Sequence, residues 1–346
     1  MKIPVLTDLE KIEFIKKPKP EVQSGDAIVK VEYCGICGSD IHGYIHGKMI
    51  PIGTVMGHEF SGVVSSIAKD VKSVKPGDRV AVKPMPQCGE CYWCKKGQYS
   101  ICPGAIKSGI GINTENDGAF AEYVKIRYPK KMLFKIPDHV PFKNAALIEP
   151  LATSLHAVQI SSVKKGDCVI IIGAGMIGLG VLQFLRLSGG AGDIIVLETS
   201  PKKSELAYEM GADLVLNPID QTEDMEDRIF HRTKGIGADV VFECAGSPTA
   251  FQTCVNYVKS GGQVMVVGIN DKDVPFNNFQ MVVREIEMKG ALGYYDEFND
   301  VIAYMNQGDI QAEQMISDII SLNDLEEKGF KHLMNTNDMV KILVRP

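Results

Sequence analysis

Hydrophobic and polar positions follow two different patterns along the chain. Up to about Tyr128, short Val- and Ile-rich segments are bounded by Gly, Pro or Asp, which is typical of strands joined by turns. The clearest of these segments are 27–33, 62–67 and 78–83. The pattern predicts a β-rich domain, built as a barrel or a bent sheet.

From about residue 165, continuous apolar runs alternate with helical stretches. The run 168–172 carries no charged residue, as expected of a strand buried on both faces of a parallel sheet. Further predicted strands follow at 193–197, 214–216, 238–242, 263–267 and 287–291. Six strands with intervening helices predict a doubly wound sheet, and so an α/β domain beside the β-rich one.

After about Leu292 the alternation stops. Residues 296–305 are typical of a helix and residues 338–344 of a final strand. We expect this tail to return to the first domain, which would make that domain discontinuous. The predicted division is therefore 1–152 for the β-rich domain, 153–291 for the doubly wound domain and 292–346 for the return.

Length and charge narrow the classes of function. A chain of 346 residues is long enough for two domains. A formal net charge of −6 argues against a nucleic-acid-binding surface. The N-terminal residues contain no apolar run typical of a signal peptide, and no later window resembles a membrane span. We therefore expect a cytoplasmic protein without a membrane or nucleic-acid partner.

Four of the nine cysteines are clustered between residues 88 and 102. Cys88, Cys91, Cys94 and Cys102 have a spacing that lets short turns bring four thiolates onto one tetrahedral zinc ion. A disulfide knot fits poorly, because a reducing compartment disfavours it. A site closed by four sulfurs leaves no position for a substrate, so any metal chemistry requires a second, more open site.

Candidate ligands for that second site lie elsewhere in the chain. Cys37 and His58 are each flanked by glycine, which lets the backbone approach a metal closely. Glu149 is a lone carboxylate in an apolar run before a proline, and a metal is one partner that such a charge could have. A packed or solvated histidine and a surface glutamate at a helix start are the alternatives for these residues.

A nucleotide-binding motif follows the first strand of the doubly wound domain. Gly173, Gly175 and Gly178 form the pattern Gly-x-Gly-x-x-Gly between a predicted strand and a predicted helix, which is the context of a dinucleotide site. Glu198 ends the next strand, about twenty residues later, where a carboxylate accepts hydrogen bonds from ribose hydroxyls. The same charge would repel the 2′-phosphate of NADP, so we expect NAD.

Taken together, these motifs resemble those of the zinc-dependent medium-chain alcohol dehydrogenase family, over essentially the whole chain. The motifs, in order, are Gly-Ile-Cys-Gly-Ser-Asp (35–40), Gly-His-Glu (57–59), the four-cysteine lobe, Gly-Ala-Phe-Ala-Glu-Tyr (118–123), Ile-Glu-Pro-Leu (148–151) and the glycine motif. The resemblance implies a GroES-like catalytic domain and a Rossmann cofactor domain. Ile-Glu-Pro-Leu is similar to the branch that contains sorbitol, other polyol and butanediol dehydrogenases.

The resemblance also implies the role of each site residue. A catalytic zinc is expected on Cys37, His58 and Glu149, with Glu59 as an exchangeable neighbour, and a second zinc on the cysteine lobe. Ser39 and His42 match the family's proton relay, and Asp40 the carboxylate that orients His58. The expected cofactor-binding residues are Gly173, Gly175, Met176, Ile177, Gly178, Glu198, Lys203 and Gly268. Zinc would act as a Lewis acid toward the alcohol, and hydride would pass to the nicotinamide.

The expected substrate is a secondary alcohol next to another hydroxyl, converted to the ketone. The polyol branch commonly has an arginine before a tyrosine at the start of the C-terminal return, but here the matching residues are Gly293 and Tyr294. A pocket lined by Tyr44 and Tyr294 suits a short vicinal diol. Sorbitol or a phosphorylated polyol similar to galactitol 1-phosphate is the alternative substrate. A non-catalytic zinc- and NAD-binding protein is the remote alternative, and a homodimer or homotetramer is expected.

Overall fold

The computed structural model describes residues 1–220 and 225–346. Its strands are β1 (Lys2–Asp8), β2 (Lys11–Lys16), β3 (Ala27–Gly35), β4 (Glu59–Ile67), β5 (Arg79–Val82), β6 (Tyr123–Ile126), β7 (Leu133–Lys135), β8 (Asp167–Ile172), β9 (Ala191–Leu197), β10 (Leu214–Leu216), β11 (Ala238–Glu243), β12 (Val258–Val266), β13 (Glu287–Gly290), β14 (Ile316–Ser321) and β15 (Lys341–Arg345).

The α-helices are α1 (Gly38–His46), α2 (Tyr92–Lys95), α3 (Pro103–Lys107), α4 (Pro129–Met132), α5 (Phe142–Ala145), α6 (Ile148–Gln159), α7 (Met176–Ser188), α8 (Pro201–Glu209), α9 (Met225–Arg232), α10 (Pro248–Tyr257), α11 (Phe279–Val283), α12 (Phe298–Gln307) and α13 (Lys331–Asn335). Short 3₁₀ turns lie at Tyr99–Ile101, Glu313–Met315 and Leu322–Asp324, and a π-helical turn at Leu325–Phe330.

The described residues form two compact units. One unit contains Met1–Glu149 together with Tyr294–Pro346, and the other contains Pro150–Gly293. The first unit is therefore discontinuous in sequence, because the C-terminal segment rejoins it.

The second unit is built on a six-stranded parallel sheet in the order β10-β9-β8-β11-β12-β13. The doubly wound parallel sheet predicted from the apolar runs is confirmed. The order reverses between β8 and β11, which is the point where open α/β sheets bind ligands at the carboxyl ends of their strands. The glycine motif lies at the carboxyl end of β8, and therefore at this reversal point.

The first unit is built on a seven-stranded sheet in the order β14-β15-β3-β4-β5-β7, with β6 also paired to β3. Its interior includes Val29, Phe60, Val80 and Val344, all less than 2% exposed. The β-rich domain expected from the short Val- and Ile-rich segments is confirmed. Strand β15 joins the sheet antiparallel to β3, so the C-terminal strand is part of the same sheet as the strand that leads to Cys37.

Element boundaries differ from the sequence expectation near the C-terminus. The last long helix begins at Phe298 and the last strand at Lys341, later than the expected 296 and 338. No helix among the described residues is long and apolar enough to span a bilayer.

Candidate metal and cofactor sites

Cys37 is held at the start of α1. It is the N-cap residue of this helix, and its backbone N–H donates to Oδ2 of Asp40 at 2.9 Å. Asp40 is completely buried. Helix α1 therefore fixes the position of the Cys37 sulfur, and sulfur is a common zinc ligand.

His58 lies between the two polar side chains that follow Cys37. Its Nδ1 is 3.5 Å from Oδ1 of Asp40, and its Nε2 is 3.4 Å from Oγ of Ser39. Burial opposes protonation of His58, but the negative charges of Asp40 and Cys37 outweigh it and raise the pKa of the ring well above its usual value. The surroundings of this imidazole therefore favour a positive charge.

A glycine makes the position of His58 possible. Gly57 has a φ of +97°, and a Cβ there would lie 2.7 Å from the backbone N of Phe120. A side chain at this position would combine backbone strain with a clash. The glycine before the histidine is thus explained by the fold of the loop.

One sulfur, one imidazole and one carboxylate come together at this point. Ligand atoms of Cys37, His58 and Glu59 all lie within 4.8 Å of one another. Nδ1 of His58 and Oδ1 of Asp40 are buried and have no hydrogen bond of standard geometry to any described residue. These donors fit a zinc ion. A metal on Nε2 of His58 would leave the Nδ1–H to donate to Asp40, and this bond would fix the orientation of the ring.

Glu59 has a second partner that the sequence did not reveal. Its Oε2 lies 2.5 Å from Nζ of Lys341, which also donates to the backbone O of Ile36 at 2.9 Å. Burial disfavours the charged lysine, but the charge of Glu59 raises the pKa of Lys341 above its usual value. The signal in the sequence was a lysine directly before the apolar run 342–344, at the start of β15.

Glu149 and Tyr294 lie beside this cluster. Glu149 is in the first turn of α6 and is 8% exposed. Burial raises its pKa to about 7, although the nearby charge of His58 acts in the opposite direction. Burial and the Glu149 charge together raise the pKa of Tyr294 well above its usual value. The Tyr294 hydroxyl is buried and makes no hydrogen bond of standard geometry to any described residue.

Tyr44 is placed differently from Tyr294. Its ring is completely buried and stacks on Phe330 with the ring centroids 4.9 Å apart. Its hydroxyl lies 2.8 Å from the backbone O of Glu10 and 2.9 Å from Oε1 of Glu326. These core contacts occupy the hydroxyl that a substrate would need. His42 lies half-buried on the same helix.

The four-cysteine lobe forms a second cluster. The Sγ atoms of Cys88 and Cys94, and those of Cys91 and Cys102, are 3.8 Å apart. Four sulfurs about 2.3 Å from one zinc ion lie about 3.8 Å from each other, so the spacing fits a tetrahedral site. These distances are far too long for disulfide bonds. All nine cysteines are free thiols in the structure.

Backbone amides stabilise the sulfurs of the lobe. The N–H of Cys91 donates to Sγ of Cys88 at 3.4 Å, and the N–H of Cys94 to Sγ of Cys91 at 3.5 Å. Backbone donors from Glu90 and Cys91 lower the pKa of Cys88 to about 6. The turn therefore favours the thiolate of Cys88, whereas burial raises the pKa of Cys94 to about 12.

The glycine motif of the second unit forms a cradle at the start of α7. Gly175 is the N-cap residue, and a Cβ built there would meet no atom within 4 Å. Gly173 has a φ of +96°, and a Cβ on Gly178 would lie 1.9 Å from the backbone O of Gly173. The helix N-terminus can therefore receive a pyrophosphate, and a larger residue at Gly178 would displace the loop.

Glu198 supports this cradle from the end of β9. Its Oε2 accepts from the N–H of Ala174 at 2.7 Å, and its Oε1 accepts from the N–H groups of Thr199 and Ser200, each at 2.8 Å. Nζ of Lys203 lies 3.2 Å from Oε1. The carboxylate thus ties the next loop to the glycine loop.

The remaining expected cofactor residues lie on the same unit. Met176 and Ile177 form the first turn of α7. Gly268 follows β12 and donates its N–H to the backbone O of Glu243 at 2.8 Å. A Cβ on Gly268 would lie 2.3 Å from the backbone N of Gly246, so only glycine fits.

Comparison with known proteins identifies relatives of both units. Residues 23–138 match the family model described as alcohol dehydrogenase GroES-like domain, and residues 177–307 match the zinc-binding dehydrogenase model. The chain is 36% identical to (R,R)-butanediol dehydrogenase of Bacillus subtilis strain 168, over 97% of this chain and 96% of the relative. It is 32% identical to sorbitol dehydrogenase of the same strain, over 100% and 97%. A zinc-binding dehydrogenase from Sinorhizobium meliloti 1021, solved bound to NADP, has a TM-score of 0.88 and 33% identity, with coverage of 100% and 99%.

Proposed function

Because this chain belongs to the zinc-dependent medium-chain alcohol dehydrogenase family, we propose that it interconverts a secondary alcohol adjacent to another hydroxyl with the corresponding ketone, using NAD. The single observation that carries this proposal is the convergence of Cys37, His58 and Glu59 within 4.8 Å, beside Tyr294. The relatives named above act, by their names, on butanediol and sorbitol.

Cys37, His58 and Glu149 would hold the catalytic zinc. Proximity favours Glu59 as the third donor, but the Lys341 ammonium 2.5 Å away already neutralises Glu59. Two carboxylates and a thiolate bound at once would over-neutralise the ion. Glu59 therefore acts as an exchangeable neighbour. When bound, zinc supplies a Lewis acid that favours loss of the proton from the substrate hydroxyl.

Residues of α1 would carry that proton away. Oγ of Ser39 lies 3.4 Å from Nε2 of His58, so this hydroxyl is next to the expected zinc position. His42 follows one helical turn later, on the same side of α1. Oγ of Ser39 would accept the substrate proton and give up its own hydroxyl proton, which the imidazole of His42 would pass on to water.

The cofactor would bind with its pyrophosphate at Gly175 and its ribose near Glu198. NAD, when bound, accepts the hydride from the substrate carbon. Oε2 of Glu198 accepts one hydrogen bond in the structure, from Ala174, which leaves it a further acceptor position for a ribose hydroxyl. The charge of Glu198 disfavours a 2′-phosphate, and Lys203 reduces this discrimination because it lies 3.2 Å away.

The substrate pocket would use Tyr294 and not Tyr44. The buried Tyr294 hydroxyl interacts with Glu149, and a phenol can both donate and accept, so it would also bond to a second substrate hydroxyl. Gly293 supplies no guanidinium to orient a long polyol, so a short vicinal diol such as 2,3-butanediol fits this pocket best. Sorbitol and a phosphorylated polyol are the alternative substrates.

The cysteine lobe would hold a second, structural zinc ion, which gives two zinc ions per chain. Free thiols in such a cluster persist in a reducing compartment, so we place the enzyme in the cytoplasm. We expect a homodimer or homotetramer, because β13 is an edge strand and α11 exposes Phe279, Val282 and Val283. Unpaired strand edges and apolar patches are typical association surfaces.

The test is an assay of NADH formation with purified protein, NAD and a panel of alcohols. The panel contains 2,3-butanediol, 2-butanol, sorbitol, galactitol 1-phosphate and ethanol. We expect the highest kcat/KM on 2,3-butanediol and little activity on ethanol. Protein with two zinc ions per chain that forms no NADH from any alcohol would be a binding protein, and the proposal would be wrong.

A further inference from the structure

Lys83 is a buried lysine to which the proposed reaction assigns no role. It follows β5 and is only 2% exposed. Its backbone N–H donates to the O of Met132 at 2.8 Å, so the main chain is fixed at this point. Burial lowers the pKa of Lys83, while the charges of Asp296 and Glu297 act in the opposite direction. Burying an ammonium group costs free energy unless other groups compensate its charge. The groups that contact Lys83 therefore indicate what this residue does.

The partners of Lys83 belong to the segment that begins with Tyr294. Nζ of Lys83 donates to the backbone O of Tyr295 at 2.6 Å. The same nitrogen lies 5.5 Å from the centroid of the Tyr294 ring. The ring of Tyr294 is also packed edge-on against Phe298, with the centroids 4.9 Å apart. One ammonium thus holds both the main chain after Tyr294 and the phenol itself.

The other side of Lys83 faces the cysteine lobe. Its Nζ is 5.6 Å from the ring centroid of Tyr99, which lies between Cys94 and Cys102 in the sequence. The rings of Tyr99 and Tyr295 meet edge-on with the centroids 6.3 Å apart. Lys83 therefore bridges the lobe and the segment that carries Tyr294.

From these contacts we infer that Lys83 is a positioning residue, which holds the Tyr294 hydroxyl beside Glu149 for recognition of the second substrate hydroxyl. The effect of Lys83 on substrate recognition rests on the proposed function. The position of the Tyr294 ring beside Lys83 does not depend on it. Lys83 is buried, so it would act through Tyr294 and not by contact with the substrate or the cofactor.

The experiment compares Lys83→Met, Tyr294→Phe and the double variant. Lys83→Met keeps the length of the side chain and removes the charge and the donor. We expect it to raise the KM for 2,3-butanediol about tenfold, with a smaller effect on kcat, and to leave 2-butanol almost unchanged. In the Tyr294→Phe background the same substitution should change kcat/KM less than about twofold. Additive effects of the two substitutions would show that Lys83 does not act through Tyr294.

A second measurement needs no enzymatic activity. In protein labelled with 3-fluorotyrosine, the ¹⁹F resonance of Tyr294 is assigned as the one that is missing from the spectrum of Tyr294→Phe. Lys83→Met should shift this resonance, whereas the control Lys30→Met, at a lysine 53% exposed on β3, should not. An unchanged Tyr294 resonance in Lys83→Met overturns the inference whatever the substrate is. If Lys83→Met does not fold, Lys83→Gln, which keeps a shorter donor, is compared in the same way.

Discussion

Lys341 and Glu59 form a buried ion pair, with Nζ 2.5 Å from Oε2 and side chains that are 4% and 2% exposed. The two residues are 282 positions apart in the chain. Glu59 follows His58, and Lys341 also bonds to the O of Ile36, which precedes Cys37. The C-terminal strand therefore fixes the chain segments that carry two of the three expected zinc ligands, Cys37 and His58.

The first prediction is that Lys341→Met destabilises the protein strongly. The substitution leaves the Glu59 charge buried without its partner, which reduces the free energy of unfolding by about 3–5 kcal/mol. Urea unfolding measures this change. The double variant Lys341→Met/Glu59→Gln should recover part of the loss. The control is Lys331→Met, at a surface lysine paired with Glu327, where a much smaller loss is expected because water screens the pair. Equal losses in Lys341→Met and the control would contradict this interpretation of the pair.

The second prediction separates Glu149 from Glu59 as the third zinc ligand. Glu149→Gln should reduce bound zinc from two ions per chain to one and lower kcat by at least about a hundredfold. Glu59→Gln should retain two ions per chain, because Glu59 is already neutralised by Lys341. Zinc is measured by elemental analysis of dialysed protein. If the two results are reversed, Glu59 is the permanent ligand.

The sequence was sufficient to predict the parallel sheet and the cysteine lobe. Strands buried on both faces, such as the segment 169–172 of β8, are continuous apolar runs in the sequence, and this pattern needs no knowledge of distant contacts. The lobe depends on four thiols that are close in the chain, so local turns determine their geometry. In both cases the decisive interactions are local or follow from a repeated pattern.

The contacts of Lys341, Lys83 and Tyr44 could not be predicted in the same way. Lys83 meets Tyr295 across 212 residues, and the sequence shows only a lysine at the end of an apolar strand. For Tyr44, the position on α1 does not reveal that its hydroxyl reaches Glu10 and Glu326. Such contacts depend on how strands that are remote in sequence pack together.

The third prediction concerns the cysteine lobe. Cys94→Ser removes one thiolate from a closed site, so the variant should bind one zinc ion per chain and unfold at a lower urea concentration. The fraction of this variant that remains folded should have a kcat for 2-butanol within about twofold of that of the unmodified enzyme, because Cys37 and His58 are unchanged. Cys254→Ser, at a buried thiol of α10, is the matched control and should keep both ions. Two zinc ions per chain in Cys94→Ser would argue against a metal on the lobe.

The fourth prediction concerns cofactor choice. Glu198→Ala with Thr199→Arg should remove the repulsion of a 2′-phosphate and add a cation, which raises kcat/KM for NADP relative to NAD by about tenfold or more. The variant also loses the acceptor for the Ala174 N–H, so its affinity for NAD should fall as well. Glu205→Ala, at an exposed residue of α8, should leave the cofactor ratio unchanged. If the unmodified enzyme already prefers NADP, the role assigned to Glu198 is wrong.

The fifth prediction distinguishes the two tyrosines proposed from the sequence. Tyr294→Phe removes only a hydroxyl, so it should raise the KM for 2,3-butanediol about tenfold and leave 2-butanol, which has no second hydroxyl, almost unchanged. Tyr44→Phe removes a hydroxyl that lies 2.8 Å from the O of Glu10 and 2.9 Å from Oε1 of Glu326. It should reduce the free energy of unfolding by about 1 kcal/mol and leave the ratio of the two substrates unchanged. The measurements are kcat/KM for both alcohols and urea unfolding of both variants. A substrate ratio that changes in Tyr44→Phe but not in Tyr294→Phe would reverse the assignment, because only a hydroxyl that meets the second hydroxyl of the diol can separate these two alcohols.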